Sequence, residues 1–451
     1  MDIRMIVIGN GKLITRNDEN QYIENGAVAV DGERIIKVGN DAEVKKEYPK
    51  AEYIDAQGMI IMPGLINAHQ HIYSAYARGL IMPGKSAMNF LEILDKTWWH
   101  IDNRLTLDNT YYSALATYIE CIKNGVTCVV DHHAGFGSVE GSLFKIGQAA
   151  DELGIRTCLA YEISDRNGKD KCDASIKENM EWIEHTKKLY GDDNTRSRML
   201  SGLVGMHAAF TLSDETLAKC REANTSNAGY HIHISEGEYD EQYTKEKYNM
   251  SVVERLYKHG ILGNNTLAGH CIHISDSDMD IIKDTRTKVV HNPESNMSNA
   301  VGAPQIIKMY DKGIMLGLGT DGYTNDMLES LKVANILQKH NRKLPDRGMA
   351  ESCEMLFRNN ATIAGSIFND SIGVLCEGAL ADIIIVDYKP YTRLDKNNIN
   401  GHVMFGMQGA MTDTTMINGK LLMRHRKLLN IDEEEILNKS IESANELWRC
   451  M

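Results

Sequence analysis

The sequence has no Cys-x-x-Cys pair, no dense cysteine framework and no excess of positive charge. It also has no uninterrupted apolar run approaching the roughly 20 residues that a membrane span needs. Each absence excludes something. Nine scattered cysteines in 451 residues predict free thiols in a reducing compartment. No membrane association is expected. The opening stretch, MDIRMIVIGNGKLI, has a short apolar part with no small-residue cleavage site behind it, so it does not read as a signal peptide. The expected address is the cytoplasm. A formal net charge of −13 argues against nucleic acid as a partner, because phosphates need a basic footprint. Solubility is sufficient reason for that charge. HExxH and GxSxG are missing, and no proline precedes a cysteine, which removes the P-C-x-x-C half of one zinc signature.

What is there is an ordinary globular balance, 43% hydrophobic and 25% charged. The length suits one large domain plus a smaller one. Residues 1–57 read as short strands and turns, with a hairpin around Asp31-Gly32-Glu33. Similar texture returns late. Ala381 to Val386 is a buried-strand run, and Asn418-Gly419 is a strong hairpin turn ahead of Lys420 to Met423. Both ends, 1–57 and 371–451, are therefore expected to build one small β-sandwich domain, the latter carrying a C-terminal helix from Asp432.

The middle, 58–370, alternates short apolar runs with amphipathic stretches such as 174–190 and 325–340. Eight strand candidates start near Gly64, Thr127, Thr157, Gly202, Tyr230, Thr266, Lys288 and Ile314. Strands alternating with helices predict an α/β fold with a parallel sheet. Eight of them in about 250 residues suit a closed (β/α)8, TIM-type barrel. The pattern alone also admits an open doubly wound sheet.

Nearly every candidate strand ends in a residue that binds metal or moves protons. In a parallel barrel the C-terminal strand ends carry function. The set is His69-Gln70-His71, Asp131-His132-His133, Glu162, His207, His233 with Glu236, His270, His291 and Asp321. In an extended segment His69 and His71 face the same way, so both can reach one ion. Alone, each also has a structural explanation: the pair as surface or core histidines, His233 as a satisfied strand residue and Asp321 as a helix N-cap. Together, His69, His71, His233 and Asp321 form a metal set of three imidazoles and a carboxylate, suited to one divalent ion: zinc first, with Fe(II) or Mn(II) admitted. Such an ion lowers the pKa of a coordinated water toward roughly 7. Glu236 is the candidate general acid/base, and His270 the candidate to hold the attacking water. His133, Glu162, His207 and His291 are candidate substrate contacts. Gly317-x-Gly319-x-x-Gly322 matches a dinucleotide fingerprint, but it falls late in the chain and puts Asp321 where a pyrophosphate would sit.

These residues also carry a family likeness. Pro63 to His71, His233-x-x-Glu236, His270, His291 to Asn296 and Gly319 to Gly322 resemble the motifs of the amidohydrolase superfamily, in its cytosine deaminase, guanine deaminase and chlorohydrolase branch. Trp98-Trp99, Asp131 to Ala134, Gly141 to Leu143, Asp165-Arg166-Asn167 and Ser295 to Asn299 resemble more closely a group of aminohydrolases associated with anaerobic purine breakdown. The resemblance implies the same four metal ligands, Glu236 as proton shuttle and His270 as water-orienting group. Binuclear relatives use a carboxylated lysine on the fourth strand, and Gly202 to Phe210 holds no lysine, which implies one metal. Ala209 stands where relatives usually carry proline, so the loop after His207 differs. The implied activity is hydrolytic deamination of a small aromatic N-heterocycle of purine, pyrimidine or imidazole type. The alternatives are ring-opening of a cyclic amidine or amide, chlorohydrolase-like displacement, or a non-catalytic binding protein. Members are often dimeric, which leaves room for a homodimer.

Overall fold

Strands from both ends of the chain share one sheet. The computed structural model describes residues 5–19, 21–191 and 197–451. The order across this sheet is Lys427–Leu428, Lys420–Arg424, Thr412–Ile417, Ile383–Val386, Ile60–Pro63, Ile6–Ile14, Tyr22–Asp31 and Arg34–Asn40, with Glu52–Asp55 also paired to Ile6–Ile14. The two ends meet where Ile383–Val386 runs antiparallel to Ile60–Pro63, a strand beyond the boundary expected at residue 57. Both hairpins form. Asp31 pairs with Arg34, and Ile417 pairs with Lys420. Asn418 and Gly419 have φ of 53° and 72°, the left-handed pair that a two-residue hairpin turn requires. Gly419 has a second reason to be glycine, since a Cβ there would lie 1.8 Å from the Gly32 carbonyl oxygen.

The middle of the chain supplies eight parallel strands in two arcs. The first arc is Leu65–Gln70, Val126–His133, Arg156–Tyr161 and Leu200–Gly202. The second is Val204–Ala208, Tyr230–Ile234, Leu267–His270, Lys288–His291 and Leu316–Leu318. Leu200 to Ala208 is one strand interrupted at Leu203, so it belongs to both. Bridges join the arcs at Ile163–Met206 and at Gln70–Asp321. Thr320 N and Asp321 N donate to His69 O, each at 3.0 Å, where the last strand meets the first. The ring closes as a TIM-type barrel. Its strands are buried along their length, as expected when helices cover a parallel sheet.

Period two sorts the barrel residues. Ile66, Ala68, Cys128, Val130, Cys158, Ala160, Leu203, Leu267 and Val290 form an apolar layer. Ile363 and Phe368, from the helix Asn360–Phe368, pack into it and close that end. In the same columns, further along the strands, stand His132 and Glu162. The barrel interior thus changes from oil to chemistry toward the C-terminal strand ends.

A buried ion pair ties sheet to barrel. Arg156 Nε donates to Asp382 Oδ2 at 3.0 Å, and Asp382 Oδ1 accepts from Asn418 N at 2.8 Å. The C-terminal helix, Glu433–Trp448, packs on the barrel helix Leu107–Lys123, where Asn109 Nδ2 donates to Ser443 O at 3.0 Å. Trp448 Nε1 donates to Tyr76 O at 2.7 Å. All nine cysteines are unpaired, and seven are buried. Among the described residues no helix is long and apolar enough to cross a membrane.

Candidate active site

Four histidines are held by one ring nitrogen each. His71 Nδ1 lies 2.5 Å from His132 O, and His233 Nδ1 lies 2.9 Å from His207 O. His69 Nδ1 lies 2.7 Å from His231 Nε2, and His270 Nδ1 lies 2.8 Å from Asn296 Oδ1. A carbonyl accepts only, so His71 and His233 carry their protons on Nδ1 and leave Nε2 with a free lone pair. Those free nitrogens converge. His71 Nε2 is 3.2 Å from His233 Nε2 and 3.2 Å from Asp321 Oδ1. His69 Nε2 is buried without a hydrogen-bond partner, and its ring centroid is 5.0 Å from that of His71 and 5.2 Å from that of His233.

These spacings fit one ion. Ligands about 2.1 Å from a tetrahedral centre lie roughly 3.4 Å apart. His69, His71 and Asp321 form one set of donor atoms within mutual reach, and His69, His233 and His270 form another. Burial pushes His69 and His233 well below the usual histidine range, and neighbouring imidazoles add to the shift. They are therefore neutral, the form that binds metal. Burial works against the Asp321 charge, but His71, His270 and hydrogen bonds from Ser295 and Gly322 together outweigh it and hold the carboxyl below its ordinary value.

Glu236 stands beside this cluster. His270 Nε2 is 3.4 Å from Glu236 Oε2 and 3.4 Å from Asp321 Oδ2. Burial raises Glu236 to about 7, with His270 pulling down and the Asp321 charge pushing up. A carboxyl near 7 can both take and give a proton at neutral pH. The backbone bends sharply at these strand ends. Ser235, His270 and Asp321 have φ of 49°, 69° and 56°. Non-glycine residues pay about 1–3 kcal/mol each for such conformations, which cluster at functional sites.

A pocket opens over the cluster. His71, His233, Glu236 and Asp321 line it, together with Glu162 and His207. His133 and His291 stand outside the lining, fully buried. His133 has the opposite strand parity to His132 and faces the rings of Tyr73 and Tyr161, at 5.9 and 5.6 Å. His291 follows the inward Val290 and so also faces away from the barrel interior.

Sequence reading assigned no role to the remaining wall. Tyr73, Phe90, Leu94, Trp98 and Trp99 supply an aromatic and aliphatic face for a flat ligand. A single wide turn at Leu94–Trp98 interrupts the helical stretch carrying them, the kind of bulge found at functional sites. Asp102 lines the pocket too and pairs with Arg166. Trp98-Trp99 and Arg166 were visible as motifs. Nothing local in the sequence says which way they point. His132 and His231 are the other silent members, and the alternation His231-x-His233 on one strand was the available signal.

The family model for the amidohydrolase family matches residues 60–422. The chain belongs to the amidohydrolase family. A shorter match, to an imidazolonepropionase-like composite domain of bacteria, covers residues 26–51. The chain is 30% identical over 448 residues to a 5'-deoxyadenosine deaminase of Methanosarcina acetivorans, covering 98% of both chains. It is 29% identical over 445 residues to a 5-methylthioadenosine/S-adenosylhomocysteine deaminase of Pelotomaculum thermopropionicum, covering 97% of this chain and 98% of the relative. Among solved structures it is similar to an adenosine deaminase from Xanthomonas campestris with bound zinc. The TM-score is 0.84, with 19% identity and 98% of both chains covered. Amidohydrolases depend on a bound metal, and the histidine–aspartate cluster is a candidate set of donors for one.

Proposed function

We propose that this amidohydrolase is a hydrolytic deaminase of an aminated aromatic N-heterocycle, with an aminopurine as the favoured substrate class. The observation that carries the reading is Glu236, set 3.4 Å from His270 Nε2 at the edge of the donor cluster and facing an aromatic pocket. The deaminase relatives support it. His69, His71, His233 and Asp321 are proposed to hold one divalent ion, zinc by the chemistry of three imidazoles and a carboxylate. When bound, the ion supplies hydroxide at neutral pH.

The protein's own groups do the rest. The aromatic wall holds the ring flat with its amino-bearing carbon toward the donor cluster. His270, fixed by Asn296, orients the attacking oxygen. Glu236 takes one proton from that oxygen and delivers it to the ring nitrogen beside the carbon under attack; it then takes the second, from the hydroxyl now on that carbon, and delivers it to the departing amine. Ammonia leaves, and the ring keeps a carbonyl. Glu162 and His207 are proposed to touch the substrate from the facing wall. His133 and His291, assigned as contacts from sequence, are better placed to support the lining. We also propose a division of the chain near that expected, with the smaller unit extended through Pro63. Ammonia release from a panel of aminated purines, pyrimidines and imidazoles tests the reaction. A ring-opened product without ammonia would replace this reading with ring hydrolysis.

A further inference from the structure

Two carboxylates in the pocket wall share a single guanidinium nitrogen. Arg166 Nη2 donates to Asp102 Oδ2 at 2.7 Å and to Glu162 Oε1 at 2.8 Å. The guanidinium sits between the rings of Phe136 and Trp99, its central carbon 4.5 and 5.1 Å from their centroids. All three polar side chains are at most 9% exposed. Both carboxylates line the same pocket as the donor cluster.

The arrangement is unbalanced. Two acids face one base. Burial raises Asp102 to about 7, with Arg166 pulling it down and Glu162 pushing it up, so the wall carries one excess negative charge above that pH. Asp102 Oδ1 is buried without a hydrogen-bond partner. Buried polar atoms are nearly always paired, and an orphan acceptor on a pocket wall marks a place for a ligand donor. Arg166 Nε and Nη1 are buried without partners too, but the guanidinium lies against the faces of Phe136 and Trp99.

We propose that Asp102, Arg166 and Glu162 form a subsite for a substituent that donates hydrogen bonds and carries no negative charge, either a hydroxylated sugar or an ammonium group. The aromatic ring lies toward Glu236, and the substituent reaches this wall. Arg166 is a positioning residue: it holds the two carboxylates side by side and touches the ligand through them. An anionic substituent meets the excess negative charge in a dry wall and is rejected. This inference rests on the deaminase reading for the orientation of the ring, and binding tests it apart from turnover.

The test is calorimetric titration at about pH 8.5, where Asp102 is ionised, of the metal-loaded protein with adenine, adenosine, 5'-amino-5'-deoxyadenosine and adenosine 5'-monophosphate. Adenosine or its amino analogue is expected to bind at least tenfold more tightly than adenine and than the monophosphate. A tighter amino analogue identifies the ammonium as the preferred donor, and parity between the two identifies the hydroxyls. Asp102→Asn keeps the shape and removes a charge, so it is expected to narrow the gap between adenosine and the monophosphate about tenfold. An exclusion by size alone would survive that change and overturn the proposal. So would equal affinity of the wild-type protein for all four ligands, a result that needs no variant to fold. Ammonia release in the same samples reports the deaminase reading separately: selective binding without ammonia would sink the reaction and leave the subsite standing.

Discussion

His71 Nε2 stands 3.2 Å from Asp321 Oδ1, a contact between the ends of the first and eighth barrel strands. It lies at the seam where the last strand meets the first, so the proposed metal set draws its ligands from both sides of that seam. Removing the carboxylate leaves three imidazoles facing one another without a compensating charge. Asp321→Ala is expected to lower metal affinity on the order of 100-fold or more. Metal analysis after dialysis against a weak chelator checks this. Retention of a full equivalent of metal would remove Asp321 from the ligand set.

Glu236→Gln separates proton transfer from metal binding. The amide keeps the shape and loses the titrating group. Turnover is expected to fall about 10²- to 10⁴-fold with metal content unchanged. Steady-state rates beside metal analysis of the same sample decide it. A loss of less than about threefold would assign the shuttle to another residue.

The Arg156–Asp382 pair is buried on both sides and joins the third barrel strand to the sheet shared by the chain ends. Breaking one partner leaves an unpaired buried charge. Asp382→Ala is expected to cost about 3–5 kcal/mol in urea unfolding. The double change Arg156→Met with Asp382→Leu is expected to recover much of that loss, because it leaves no charge behind. A single variant as stable as the parent would show that the pair does not hold the two parts together.

Acid sensitivity follows from the buried histidines. Burial lowers His133 to about 3, helped by the neighbouring His71, and burial lowers His291 to about 3, helped by His270. In the unfolded chain each titrates near 6.5. Between about 6.5 and 3 the unfolded chain therefore binds more protons than the native one. The stability these groups contribute is fully present above pH 6.5 and is lost as the pH falls. Each contributes a slope of about 1.4 kcal/mol per pH unit in that window. His133→Leu is expected to flatten the dependence by one such increment, read from urea midpoints at pH 7, 6 and 5. An unchanged slope would mean that His133 is protonated in the native state.

Much of the fold was legible because it is written in local periods. The eight apolar runs became the eight barrel strands, and Asn418-Gly419 became the expected two-residue turn, since such residues take two positive φ values in succession at least cost. The candidate ligands were legible as a set because each ends a strand. Direction was less legible. His132 and His133 are adjacent and chemically identical. Strand parity turns the first toward the donor cluster and the second toward Tyr161.

By itself the sequence determined which residue types end each strand, and therefore which chemistry is available: imidazoles, carboxylates and a proton carrier. Only the tertiary structure decided which of them meet. The pairing of the first strand with the second is irregular between Asn67 and Gln70, and His270 and Asp321 take left-handed backbone angles. Both departures depend on packing from distant parts of the chain. The sharing of Arg166 between Asp102 and Glu162 is of the same kind, since it links a helical segment near residue 100 to the end of the third strand. Local propensity sets the period of an element, and only contacts remote in sequence set where its last side chains point.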